Sequence, residues 1–314
     1  MIFLKKIMFV LIFSLFFTLA ACSGGSGDDQ EPSHSVATSM YPLEFLVSEI
    51  AGDLVTVETV VPPGTDPHVY EPSSKKMIEL SEHDAFFYIG AGMEAFGETL
   101  ANAVSNEGVT IFTLEEHEEL FADHTSDHDH AEHEHGEHEG HHHDVDPHFW
   151  LDPLRMSQAA DITSDRLAEL YQEHEEVFKE NTEELKAELE QLDEEFQALQ
   201  GEDYVLFVTH EAYGYWTERY GIEQLSVRGV SSSQEPSQKE LQEIFDQVGE
   251  LDIDHIILES NSQDRLAQTI AEEMELRVLY IHTLESLTEE NVGASENYFD
   301  LMRENIETIR LTKQ

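Results

Sequence analysis

The chain has 314 residues, of which 67 are Asp or Glu and only 16 are Lys or Arg, for a formal net charge of −51 at pH 7. A surface so short of cations has little with which to neutralise phosphates, which excludes nucleic acid as a partner and makes a strongly hydrated exterior the main consequence of the acids. The single cysteine, Cys22, excludes an intramolecular disulfide and a thiolate zinc cage.

Residues 1–21 read as a signal peptide: Lys5 and Lys6 form a basic start, and the apolar run that follows is too short for a comfortable membrane span. The run ends in Leu19-Ala20-Ala21-Cys22, a lipobox-like sequence that predicts cleavage before Cys22 and lipidation of its thiol. Acyl chains there would anchor the protein to the extracytoplasmic face of the cell membrane, with residues 22–34, which include Ser23-Gly24-Gly25-Ser26-Gly27, as a flexible tether.

From residue 35 short β-rich runs alternate with helical ones. Strands are predicted at 36–40, 55–61, 85–89 and 109–112, and helices at 41–51, 73–82 and 93–103. This alternation indicates βαβ units and a parallel sheet. Residues 115–144 interrupt it with a run of His, Asp, Glu and Gly that has nothing to build a core from, and are predicted to be a mobile surface loop. In the linking region, 153–200, Leu185, Leu189, Leu192, Phe196 and Leu199 recur at spacings of four and three among Glu, Gln and Lys. That single apolar stripe predicts one long helix lying along two lobes. The β/α rhythm then resumes, with strands at 204–209, 225–227, 255–258 and 278–281 and helices at 213–220, 237–248, 264–274 and 295–311. The expected fold is therefore α/β, with an N-terminal lobe (35–152) and a C-terminal lobe (201–314), each a parallel sheet flanked by helices, and a ligand cleft where the strand ends meet.

Three histidines stand in well-formed contexts at strand ends or rigid turns. His68 closes Val61-Pro62-Pro63-Gly64-Thr65-Asp66-Pro67-His68, whose prolines and glycine leave the backbone little freedom. His148 follows Asp146-Pro147 and precedes Phe149-Trp150, whose rings would shield a site from water, and His210 ends the apolar strand Tyr204-Val205-Leu206-Phe207-Val208-Thr209. Neutral imidazole is a leading ligand for zinc and other borderline metals, and the wide spacing suits a site assembled between lobes. Separately, His124, His128, His130, His133, His135, His138, His141, His142 and His143 crowd the acidic tract with no spacing that dictates one closed site. Several exchangeable zinc ions of modest affinity are expected there. His34, His83, His174 and His255 read as surface or satisfied structural residues, and His282 and the neighbours Tyr70, Glu71, Asp146 and Glu211 as groups able to orient ligands.

The segments around the three histidines, Val61 to Pro72, Asp146-Pro147-His148-Phe149-Trp150-Leu151-Asp152-Pro153 and His210-Glu211-Ala212-Tyr213-Gly214-Tyr215, closely resemble motifs of the zinc-binding solute-binding lipoproteins of bacterial ABC transporters. The resemblance runs over essentially the whole mature chain, with that family's His/acid loop before the second histidine. It implies a Zn2+ site between the lobes, held by His68, His148 and His210, with a carboxylate or water in the fourth place. Leu284-Glu285-Ser286-Leu287-Thr288 is similar to the family's carboxylate-bearing segment, which points to Glu285. A membrane permease with its cytosolic ATPase is the implied partner of a monomer that captures Zn2+ as transported ligand and is not an enzyme. The alternatives are manganese or iron capture, in which a carboxylate replaces a histidine, an adhesin role, and a zinc enzyme. The last lacks the His-Glu-x-x-His pattern of metalloproteases.

Overall fold

The computed structural model describes residues 34–123, 145–233, 235–261 and 264–314. The chain begins with β1 (His34–Thr38), α1 (Tyr41–Ala51), β2 (Val55–Thr59), α2 (Ser74–Leu80), β3 (Ala85–Tyr88), α3 (Gly97–Ser105) and β4 (Thr110–Thr113). The four strands form a parallel sheet in the order β2-β1-β3-β4. A two-residue antiparallel ribbon, β5 (Ala122–Asp123) with β6 (Val145–Asp146), follows, and then α4 (Pro153–Leu170) and α5 (Glu175–Gln197). The last part contains β7 (Val205–Val208), α6 (Gly214–Tyr220), β8 (Glu223–Ser226), α7 (Gln238–Glu250), β9 (His255–Glu259), α8 (Arg265–Glu273), β10 (Arg277–Ile281), α9 (Glu289–Ala294) and α10 (Tyr298–Arg310). Its sheet, β10-β9-β7-β8, is also parallel and repeats the order of the first, with the first strand of the set flanked by the second and third.

Central strands are apolar on both faces because both faces are covered, as parallel sheets require. Alternation along the strand sorts side chains into two layers. In β3, Ala85 and Phe87 join the core shared with α1, α4 and α5, whereas Phe86 and Tyr88 join the separate cluster under α2 and α3. In the second sheet Leu206 and Val208 enter the shared core, while Phe207, Ile256 and Leu258 pack with the outer helices α7 and α8. The shared core thus runs from the first sheet through the linking helices to the second.

The 153–200 region holds two helices. The predicted stripe lies on the second, α5, where Leu185, Leu189, Leu192 and Phe196 are buried. This helix packs on α1 and on α10, with Asn181 Nδ2 donating to the Ile50 carbonyl at 2.8 Å and Arg303 paired with Glu195. The preceding helix, α4, buries Met156, Ala159, Ala160, Thr163 and Leu167. Small and polar residues fill most of that face, so it has no leucine stripe to read. The two are separated by Tyr171, at φ −130° and ψ 65°, and a 3-10 turn over Gln172–His174. At its start α4 has Pro153 in the first turn and Asp152 as cap, accepting from the backbone N–H groups of Leu154 and Arg155.

Two further helix starts differ from expectation by three residues or more. The predicted helix at 93–103 begins only at Gly97, because Gly90, Ala91 and Gly92 all adopt positive φ and turn the chain first. The predicted helix at 295–311 is α10 alone, preceded by the short α9, which ends where Ser295 turns left-handed at φ 59°. Cys22 and the histidines from His124 to His143 lie outside the described residues. Among the described residues no helix is long and apolar enough to cross a membrane.

Candidate metal centre

His210 sits two residues past the end of β7, beside the end of β9, where the chain's connections leave the sheet in opposite directions. In open α/β sheets that switch point is where ligands bind. Its Nδ1–H donates to Glu259 Oε1 at 2.5 Å, and the Thr209 hydroxyl donates to the same oxygen. The ring is thereby held with Nε2 facing inward. His148, two residues past β6, is fixed in the same manner: its backbone N–H and its Nδ1–H reach Asp146 Oδ1 at 3.0 and 2.8 Å. The Asp146 carbonyl accepts from the Tyr215 hydroxyl at 2.6 Å. A Cβ on Gly214 would stand 2.8 Å from Asp146 Oδ2, so the carboxylate has its place because residue 214 has no side chain.

His68 comes from the turn after β2. Its backbone N–H donates to Asp66 Oδ1 at 2.9 Å, and Asp66 Oδ2 accepts from the Ser232 hydroxyl at 2.7 Å. Gly64, at φ 73°, donates its N–H to the Leu287 carbonyl at 2.7 Å. Glu285 follows β10, directly after Leu284, a buried residue at φ 57°. A non-glycine residue in the left-handed region costs about 1–2 kcal/mol, an expense tolerated where it aims a neighbouring side chain. The Glu285 carbonyl also caps α1, accepting from Tyr41 N at 3.3 Å.

These four side chains, drawn from both lobes, converge on one buried point. Glu285 Oε1 lies 3.4 Å from His148 Nε2, 3.6 Å from His210 Nε2 and 3.8 Å from His68 Nε2, and the His148 and His210 Nε2 atoms are 3.4 Å apart. Bonds of about 2.0–2.1 Å to a tetrahedral ion place ligand atoms about 3.4 Å apart. The four donors therefore outline a slightly expanded tetrahedron. Contacts of this length do not satisfy the polar atoms: His68 Nε2 and Glu285 Oε1 are buried without a hydrogen-bond partner.

The electrostatics agree with a cation site. Burial pushes the Glu285 carboxyl up, but the facing imidazoles of His148, His210 and His68 outweigh it and hold the group well below the usual carboxylate range. His68 is pushed down, chiefly by burial. For His148 burial also acts downward, yet Asp146 and Glu285 outweigh it and raise the ring. His210 is raised further, against burial, by Glu259 and Glu285. The cleft thus favours positive charge and offers three neutral-imidazole donors once protons leave.

Among the residues expected to orient ligands, Asp146 is placed on His148, whereas Tyr70 packs its ring on Phe96 and Glu71 is exposed. The Glu211 backbone N–H donates to the Gly229 carbonyl. His282 is buried with its backbone clasped by the Asn305 side chain. His83 pairs through Nε2 with Glu58 while its Nδ1 is buried without a partner, and His255 reaches the Val205 carbonyl at 3.0 Å as a satisfied structural residue does. Glu259 and Thr209 carry no motif in the sequence; the available signal was an acid closing the strand His255-Ile256-Ile257-Leu258-Glu259, all of it buried.

A profile of the family described as zinc-uptake complex component A, periplasmic, matches residues 36–311. The chain is 32% identical over 314 aligned residues to the zinc-binding lipoprotein AdcA of Streptococcus pneumoniae serotype 4, covering 98% of this chain and 61% of that protein. It therefore spans less than two thirds of that relative's length. The high-affinity zinc uptake system protein ZnuA of Bacillus subtilis is 27% identical and is covered to 95%, with 96% of this chain. The crystal structure of the Zn(II)-bound ZnuA-like domain of S. pneumoniae AdcA superposes with a TM-score of 0.70 at 28% identity, over 89% of this chain and 98% of that domain.

Proposed function

The chain belongs to the family of the periplasmic component A of zinc-uptake complexes, and on that premise we propose that it captures Zn2+ outside the cytoplasm and delivers it to an ABC-transporter permease driven by a cytosolic ATPase. The observation that carries the reading is the buried tetrahedron of His68, His148, His210 and Glu285. Three imidazoles and one carboxylate suit zinc better than manganese, which prefers more oxygen. Four protein donors leave no coordination position set aside for a reactive water, so the arrangement supports binding rather than hydrolysis. Lipidation of Cys22 would keep the protein at the outer face of the membrane beside its permease, and the histidines from His124 to His143 would collect exchangeable zinc nearby.

Capture and release require two states with different affinity. Among the described residues, polar contacts close the cleft at the His68 turn: Asp66 to Ser232, Gly64 N–H to the Leu287 carbonyl, and the Ser286 hydroxyl to the Thr65 carbonyl at 2.8 Å. Each joins the His68 turn to the C-terminal lobe, so losing them frees one histidine from the other three ligands. Docking on a permease that competes for this turn would open the site. In a strain lacking this protein, growth in metal-depleted medium should return when the gene is restored and zinc is supplied, and not with manganese; equal rescue by manganese would overturn the assignment.

A further inference from the structure

We propose that His34, Glu173 and His174 form a second transition-metal site, open to solvent, at the end of the first sheet opposite the cleft. Among the described residues, this is the other group whose ligand-capable atoms all lie within 4.8 Å of one another. His34 Nε2 and Glu173 Oε1 are 3.3 Å apart, the separation that two ligands of one tetrahedral ion adopt. The rings of His34 and His174 have their centroids 5.6 Å apart, and the His174 donor lies within 4.8 Å of the other two.

The ligands are held by structure on both sides. His34 opens β1, in register with Val55 of β2. Its ring lies on that of Tyr171, with centroids 4.2 Å apart. The Tyr171 hydroxyl donates to Asp84 Oδ2 at 2.8 Å, and the same oxygen accepts the Ser35 backbone N–H at 2.9 Å. Glu173 and His174 belong to the 3-10 turn between α4 and α5, closed by His174 N–H on the Tyr171 carbonyl at 2.9 Å. The break that splits the linking region into two helices is what turns these two side chains toward the start of β1.

Two imidazoles and a carboxylate suit Zn2+, and Cu2+ or Ni2+ in vitro, with water completing the coordination. His34 and His174 are partly buried and Glu173 is exposed. The ion would exchange freely and load only when zinc exceeds what the cleft takes. The parallel strands place His34 at the opposite end of β1 from the cleft, about 13 Å of strand away, so the two sites share no ligand. When filled, this site ties the first strand to the α4–α5 turn, adding to stability with the logarithm of free metal once the site is occupied.

The test uses the full chain with the nine tract histidines replaced by Asn, compared with the same protein carrying His34→Ala and His174→Ala. Zinc-soaked crystals measured on either side of the zinc absorption edge should show an anomalous peak bonded to both rings. In solution the two substitutions should remove one weakly held zinc equivalent and leave the tight one untouched. An unchanged zinc stoichiometry, or crystals with no anomalous density between His34 and His174, would reduce the cluster to a surface ion pair and overturn the proposal.

Discussion

At the residue scale, Asp146 and Glu259 do the same job for two histidines. Each accepts a hydrogen bond from Nδ1–H, which leaves Nε2 free as the proposed metal donor and makes it more basic. Glu259→Gln and Asp146→Asn should each weaken zinc binding by about 10–100-fold while the fold is kept; competition against a chromogenic chelator measures it, and unchanged affinity would remove these carboxylates from the account. Gly214→Ala should act through the same carboxylate, since the new methyl displaces Asp146 Oδ2. The pH dependence has a definite sign. In the metal-free cleft His148 and His210 hold their protons above the ordinary histidine range, so zinc must displace them. Affinity should therefore rise with pH through and above the ordinary histidine range, with His68, whose proton affinity is depressed, contributing only at the acid end. Glu259→Gln should flatten that slope by lowering the proton affinity of His210.

At the scale of elements, what could be read from sequence followed the strength of each local signal. The strands at 85–88 and 255–259 and the α5 stripe were legible because burial on both faces leaves a continuous apolar run, and burial on one face of a helix leaves a period, in the sequence. The face of α4 was not, because it buries alanines and threonine, and the break at Tyr171 carries neither Gly nor Pro. The three histidines announced themselves by context and Glu285 through the family resemblance of its segment, whereas Glu259 looked like the end of a strand and Thr209 like part of one. Geometry alone showed which acids face which rings. The stripe also makes a stability prediction. Leu192 is fully buried between the sheets, so Leu192→Ala should cost about 2–5 kcal/mol. Substitution of the exposed Glu190 by Ala should stay within about 0.5 kcal/mol, both read by urea denaturation.

At the scale of the molecule, two sheets of the same strand order face one cleft, and the proposed ligands come from both sides: His68 and His148 precede the linking helices, while His210 and Glu285 follow them. A shared core running through α4 and α5 gives the lobes a common support, and in the proposed capture and release it is the polar contacts at the His68 turn that open. Removing two of them, with Ser232→Ala and Ser286→Ala, should speed zinc release in stopped-flow measurements while all four ligands remain; an unchanged rate would place the hinge elsewhere.

The central claim, that these four side chains form the tight zinc site, is tested most directly by the zinc stoichiometry and competitive affinity of the protein with and without residues 118–143, and with His68, His148, His210 and Glu285 changed singly to Ala. One tight zinc that survives loop deletion, and is lost or weakened by each single change, is the predicted result. Tight zinc that disappears with the loop and ignores the four substitutions would contradict it.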